Sequence, residues 1–252
     1  MSDKKENPSH YADPKALRSP GLEPVIRSYG RKHGKRLSAR REALLSSLLP
    51  RVRVPVCEDN PPSDPLDLDG LFGRKTERVW FEIGFGAGEH VAEQATRNPD
   101  VGFIACEPFV NGVAKLLSLI EEQDIKNVRI FDGDARAVLD ALPDGCLDRV
   151  YILHPDPWPK ARHWKRRIFS APTLDGLARV MKPGALLRFA SDHMGYVAFA
   201  LEAGLCHPDF EWTARGPEDW RGRPDDWVAT RYEVKARVSG IAPALLEFQR
   251  GG

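Results

Sequence analysis

The chain has 252 residues, 42% of them apolar and 29% charged, which is enough for one α/β domain with its own core and an appendage. No apolar run approaches the roughly 20 residues of a membrane span, and the opening MSDKKENPSH lacks the apolar region of a secretory signal, so a membrane or exported protein is not expected and a cytoplasmic one is. The net charge of +1 hides an uneven spread: residues 1–56 carry 13 Lys or Arg against 5 Asp or Glu, a net of +8, and the remaining 24 against 31 give −7.

A basic segment on an acidic body points to a polyanionic partner, or else to a solvated tail. Residues 1–24 are polar, with Pro8, Pro14, Pro20 and Pro24, and read as flexible. Arg27, Arg31, Lys32, Lys35, Arg36, Arg40 and Arg41 follow around Gly30 and Gly34. Ser38 is placed to cap a helix over 39–49, with Leu44, Leu45, Leu48 and Leu49 on one side and Pro50 beyond its end. The acidic, proline-rich stretch 57–70 reads as a connector. Residues 1–70 are thus expected to be arm and connector, and 71–252 the folded domain. Cys57, Cys106, Cys146 and Cys206 form no CxxC and read as reduced thiols.

From residue 79 the pattern alternates. Strands are expected at 79–83, 101–106, 128–131, 147–153 and 185–190, and helices at 89–97, 108–122, 135–142, 173–181 and 194–203. Pro183-Gly184 marks a turn before the fifth strand, and 210–214 with 232–238 are placed to close the sheet as an antiparallel pair. Strands alternating with helices predict an α/β, mostly parallel, doubly wound Rossmann-like sheet.

FEIGFGAGEH puts Gly84, Gly86 and Gly88 between the first strand and its helix. Glycine there permits a tight turn and close approach of a ligand to the backbone. A dinucleotide fingerprint would place glycine at position 89, where this chain has Glu89. With Glu82 before it, the turn resembles the first motif of S-adenosylmethionine-dependent methyltransferases, whose cofactor has no pyrophosphate to cradle. Glu107, at the end of the second strand, is placed to accept hydrogen bonds from ribose hydroxyls. Asp134 after the third strand is placed for an adenine amino group, with Asp132 the competitor. All of these acids fall at C-terminal strand ends, where open α/β sheets bind ligands.

The fourth strand delivers His154-Pro155-Asp156-Pro157-Trp158-Pro159 beside the glycine turn. Prolines fix φ and stiffen the loop, so Asp156 is expected in one orientation. Trp158 offers a stacking face or a pocket wall. Lys160, Arg162, His163, Trp164, Lys165, Arg166 and Arg167 form a basic rim suited to phosphates. Farther on, Asp192 follows the fifth strand, either as a site residue or as the N-cap of the next helix. Trp220, Arg221, Arg223 and Trp227 lie in a Pro- and Gly-rich loop that reads as a mobile cover over a splayed base or as an ordinary long connection.

RSYGRKHG, FEIGFGAGEH, ACEP, DGDAR, PDPWPKARHWKRR, ASDHMGYVAFAL and TRYE, in this order across about residues 27–240, together resemble the bacterial tRNA (guanine-N7)-methyltransferase family in its single-chain form. The resemblance implies S-adenosyl-L-methionine as cofactor and a guanine in the variable loop of tRNA as substrate. It implies that Glu82, Glu107, Asp134 and Asp156 bind or line the cofactor site and that Asp156 is catalytic. Lys160, Asp192, Thr230, Arg231, Tyr232 and Glu233 are implied to contact the tRNA. His154 stands where the family often has phenylalanine and reads as a packed histidine; no metal-ligand spacing accompanies it, and neither a metal nor an obligatory protein partner is expected. The alternatives are an exocyclic-amine nucleic-acid methyltransferase, whose usual loop has a second proline where Trp158 stands, and a non-catalytic RNA-binding protein.

Overall fold

The computed structural model describes residues 30–59, 62, 64–229, 233, 240 and 242–252. Five strands, β1 (Val79–Ile83), β2 (Gly102–Cys106), β3 (Val128–Phe131), β4 (Leu147–Leu153) and β5 (Met181–Ser191), run parallel in the spatial order β3-β2-β1-β4-β5. Every residue of β1 and β2 is buried, as central strands covered on both faces require. Helices α4 (Glu89–Arg97) and α5 (Val110–Glu122) lie against one another, and α6 (Ala135–Ala141) against α7 (Ala171–Val180). Two apolar clusters result, one around Phe81, Ile104, Val150 and Phe189, the other around Phe103, Ala105, Leu116 and Tyr151. The β1/β4 boundary, where the chain order reverses, is the topological switch point.

The expected parallel sheet is present, but its closure differs. β6 (Phe210–Trp212) pairs antiparallel with β7 (Ala244–Arg250), and β7 lies between β6 and β5. The expected partner, 232–238, lies outside the described residues except for Glu233, and the pairing is made by the tail instead. β7 is buried over Ala244, Leu245, Leu246 and Phe248, and Gln249 is exposed near its end. β5 also starts earlier than expected. Leu147 pairs with Met181 whereas Arg149 pairs with Leu186, so Pro183-Gly184 is a bulge inside the strand, with Gly184 at φ 82°. After β5 comes α8 (Met194–Leu205).

Within the stretch expected to be arm and connector, residues 39–54 pack on this body. α1 (Ala39–Ser47) lies on α5, where Arg40 pairs with Glu121 and Glu122 at 2.7 and 2.8 Å, and Leu44 is 4% exposed. Ser38 makes no side-chain cap, and Pro50 opens a further short helix, α2 (Leu49–Val52), rather than ending the first. Val54, 0% exposed, donates its N–H to the Ile130 carbonyl at the sheet edge. A further short helix, α3 (Leu68–Phe72), precedes β1. No helix among the described residues is long and apolar enough to cross a membrane.

Candidate active site

A cavity of about 410 Å³ opens at the C-terminal ends of β1, β2 and β4. Glu82, Gly84, Gly86, Glu107, Asp134, His154, Asp156 and Trp158 all line it. Its volume falls within the roughly 300–1,000 Å³ of small-ligand sites.

The glycine turn supplies its floor. Gly84, Gly86 and Gly88 have φ of 77°, 59° and 81°, the left-handed region that side chains disfavour. Gly88 is not in the lining; it caps α4. The carboxylate of Glu107 braces the turn from the side: Oε2 accepts from the Gly86 N–H at 2.8 Å and Oε1 from the Phe109 N–H at 3.0 Å. Burial pushes its carboxyl above the usual range, and these two bonds hold it back. Each oxygen retains acceptor capacity for a ribose hydroxyl. Glu82, buried in the strand, meets Nδ1 of the equally buried His90 at 2.5 Å. His90 stands in the glycine motif, but nothing in the spacing had assigned it a role.

Asp134 rather than Asp132 faces the cavity. Its Oδ1 caps α6 through the Arg136 N–H at 3.1 Å, and its Oδ2 pairs with the Arg136 guanidinium at 2.8 Å. Asp132 pairs with Arg53 at 2.8 Å. The arm also reaches the mouth, and Gly30 and Arg31 line it. Val110 N–H donates to the Lys32 carbonyl, and Asn111 takes the Gly34 N–H on Oδ1 at 2.7 Å and donates through Nδ2 to the Lys35 carbonyl at 2.6 Å. This clasp leaves Lys32, Lys35 and Arg36 exposed.

Asp156 is exposed at the wall, between two unusual residues. His154 and Trp158 have φ of 52° and 43°, two of the three positive-φ non-glycine residues described. Such residues cost of order 1–3 kcal/mol each and persist where the surroundings hold them. The His154 N–H donates to the Ala190 carbonyl on β5 at 2.8 Å. Burial lowers the basicity of the His154 imidazole, as a packed histidine requires. Trp158 carries the Arg166 guanidinium 4.9 Å from its ring centroid and meets His163 edge-on. Lys160, Arg162 and Lys165 are exposed along the 3₁₀ turn Ala161–Arg166. Arg167, expected in that rim, is 1% exposed and turns inward among aromatic rings.

Asp192 is exposed beyond β5, and it is His193, not Asp192, that caps α8, through Nδ1 and the Tyr196 N–H at 3.2 Å. Thr230, Arg231 and Tyr232 lie outside the described residues. Glu233 is 0% exposed and away from the cavity; it accepts from Trp227 Nε1 at 2.7 Å and pairs with Arg223. The loop before it is anchored through Asp226, which pairs with Arg149 and Arg188 and whose carbonyl accepts from Gln94 at 2.8 Å. The described part of this loop, expected either as a mobile cover or as an ordinary long connection, is a strap tethered at Asp226.

The parallel order, the glycine turn and the acids on successive strand ends define a Rossmann-like methyltransferase. A family model described as "Putative methyltransferase" matches residues 76–242. A solved structure of the 16S rRNA methyltransferase KamB is similar in fold, with a TM-score of 0.50 at 18% identity over 73% of this chain and 94% of that one. Curated relatives are far nearer in sequence. The tRNA (guanine-N(7)-)-methyltransferase of Rhodospirillum rubrum is 50% identical over 89% of this chain and 88% of its own. That of Caulobacter vibrioides is 50% identical over 90% and 96%. The chain belongs to the tRNA (guanine-N(7)-)-methyltransferase family.

Proposed function

We propose that the protein transfers a methyl group from S-adenosyl-L-methionine to N7 of a guanine in the variable loop of tRNA, as a cytoplasmic enzyme acting through a single chain. The observation that carries the mechanism is the placement of Asp156: a carboxylate on a loop held at two left-handed residues, on the wall of the cavity that the glycine turn and Glu107 also line. The names of the relatives support the substrate.

The residues present fit the cofactor. The turn offers a side-chain-free approach and Glu107 keeps acceptor capacity for the ribose; of the other acids that line the cavity, Glu82 would take the methionyl end and Asp134 the adenine end. The bound cofactor supplies an electrophilic sulfonium methyl. Guanine N7 attacks through a lone pair and has no proton to lose, so Asp156 need not act as a base. It accepts hydrogen bonds from the N–H edge of the guanine, fixes the ring in line, and meets the positive charge that alkylation leaves on it. Lys160, Arg162 and Lys165, with the exposed cations of the arm, hold phosphates, and Asp192 and residues 230–232 join the substrate surface. Glu233, buried under Trp227, acts on that surface through the strap.

Asp156→Ala should lower turnover on unmodified tRNA by about 100-fold or more, the scale of a lost electrostatic stabiliser. A variant working at the wild-type rate refutes the mechanism. Mass spectrometry of the digested product should find 7-methylguanosine; an amino-methylated base would establish the exocyclic chemistry instead.

A further inference from the structure

Arg167 closes the basic run in sequence but leaves it in space. Its side chain is 1% exposed, and its guanidinium carbon lies 4.8, 4.7 and 4.6 Å from the ring centroids of Trp164, Tyr196 and Phe199. Nε donates to the Pro157 carbonyl at 3.0 Å, while Nη1 is buried with no hydrogen-bond partner among the described residues. The Tyr196 hydroxyl accepts the Phe169 N–H at 3.1 Å, which fastens the following residues to α8 as well. A buried cation with an unsatisfied donor contributes little net stability, so its placement is better explained by what it holds.

What it holds is the peptide next to Asp156. Pro155, Pro157 and Pro159 have no N–H to donate, so this loop has half the backbone donors of an ordinary one, and a side chain that grips one of its carbonyls adds to the hold of the His154 N–H on β5. We propose that Arg167 is a positioning residue for methyl transfer: its guanidinium, walled by three rings, grips the Pro157 carbonyl and thereby fixes the Asp156 carboxylate, and it contacts no phosphate. The proposal rests on the Asp156 reading above. Two of the three rings, Tyr196 and Phe199, belong to α8, so the orientation of the catalytic loop is set in part by a helix that does not itself line the cavity.

The test compares Arg167→Met, which fills the cage without a donor, with Arg167→Lys, whose ammonium suits the rings and reaches for the same carbonyl. Under saturating cofactor and tRNA, Arg167→Met should lose about 100-fold in kcat, the effect of a displacement near 1 Å at the reacting centre. KM for both substrates should stay within about threefold, and the salt slope of tRNA binding should be unchanged, since no phosphate contact is lost. Arg167→Lys should recover most of the turnover. Wild-type kcat in Arg167→Met overturns the proposal, as does a kcat loss accompanied by a slope reduced by about one, the mark of a phosphate ligand. If Arg167→Met does not fold, Phe199→Leu at the half-buried wall serves: lowered kcat at constant KM supports the proposal and unchanged kcat overturns it. Asp156→Ala, measured in parallel, separates the two readings. If Asp156→Ala is inactive while Arg167→Met is fully active, only this inference falls; an active Asp156→Ala removes the reading beneath it.

Discussion

Two glycines of one turn should fail in opposite ways when given a methyl group. Both are left-handed, Gly84 at φ 77° and Gly88 at φ 81°, so Ala at either carries about 1–2 kcal/mol of backbone strain. Their surroundings differ. A Cβ on Gly88 would lie 2.7 Å from Leu116 Cβ and 2.9 Å from its Cδ1, with α5 packed behind. That overpacking adds about 1–3 kcal/mol. A Cβ on Gly84 meets nothing within 4 Å, because it points into the cavity mouth. At about 2–4 °C per kcal/mol for a domain of this size, Gly84→Ala should lower the thermal midpoint by roughly 2–8 °C and Gly88→Ala by roughly 4–20 °C. Cofactor affinity should show the reverse order. Calorimetric titration with S-adenosyl-L-methionine should find Gly84→Ala weakened at least about tenfold, near 1.4 kcal/mol, since the methyl takes the space the ligand needs. Folded Gly88→Ala should bind more nearly like the wild type. A Gly84→Ala protein with wild-type affinity would refute the idea that this turn is the surface the cofactor approaches.

Other outcomes follow from single side chains. Asp226→Asn leaves Arg149 with a neutral partner and the 3%-exposed Arg188 with Glu247 in place of two carboxylates, and should destabilise by about 1–3 kcal/mol at neutral pH, less than a fully buried pair because Asp226 is partly exposed. Burial acts to raise the Asp226 carboxyl, but the two arginines outweigh it and hold it below the usual range. Its contribution is therefore present above about pH 4 and lost as pH falls below, so denaturation curves of the two proteins should converge in acid; a constant gap would count against this pairing. Changing Lys160, Arg162 or Lys165 singly to Gln should reduce the slope of log affinity for tRNA against log salt by about 0.7–0.9, and an unaltered slope would remove that residue from the phosphate track. Glu107→Gln keeps one acceptor oxygen but turns an amide NH₂ toward one of two backbone N–H donors, so cofactor binding should weaken about tenfold or more with the fold intact; calorimetry finding no loss would show that the brace is dispensable.

How much of this was legible beforehand differs by residue. β1, β3 and β4 begin and end where expected, because short apolar-rich runs interrupted only by Glu82, Arg129, Asp148 and Arg149 are followed closely by glycine or proline. β7 was missed. Its apolar residues are visible in ALLEFQR, but no local feature says that the last strand of the chain should insert between two earlier ones. Glu82, Glu107, Asp134 and Asp156 converge on one cavity because strand ends converge at a switch point, which topology alone dictates. Arg167 was misread for the converse reason. Charge runs are read by sign, while the direction of each side chain depends on Tyr196 and Phe199, about thirty residues later in the chain. Gly112 left no trace at all: a Cβ there would strike the Gly86 carbonyl oxygen, so it is a third-party member of the glycine turn that no motif spacing marks.

The two halves of the site therefore depend on different kinds of support. The glycine turn has backbone N–H groups to offer, and one carboxylate, Glu107, takes two backbone N–H donors, one of them Gly86. The Pro-Asp-Pro loop lacks half of its N–H groups, and the His154 N–H on β5 and a side chain reaching its carbonyl both hold it. A backbone so held is stiff only while its props are in place, and both act on the loop through single hydrogen bonds rather than through apolar packing. Damage to the turn should then register in both stability and cofactor affinity, as at Gly88 and Gly84. Damage to the loop should register mainly in turnover, because the strain at His154 and Trp158 relaxes when a prop is lost and offsets part of the lost contact. Stability screening alone would pass over the residues that orient Asp156.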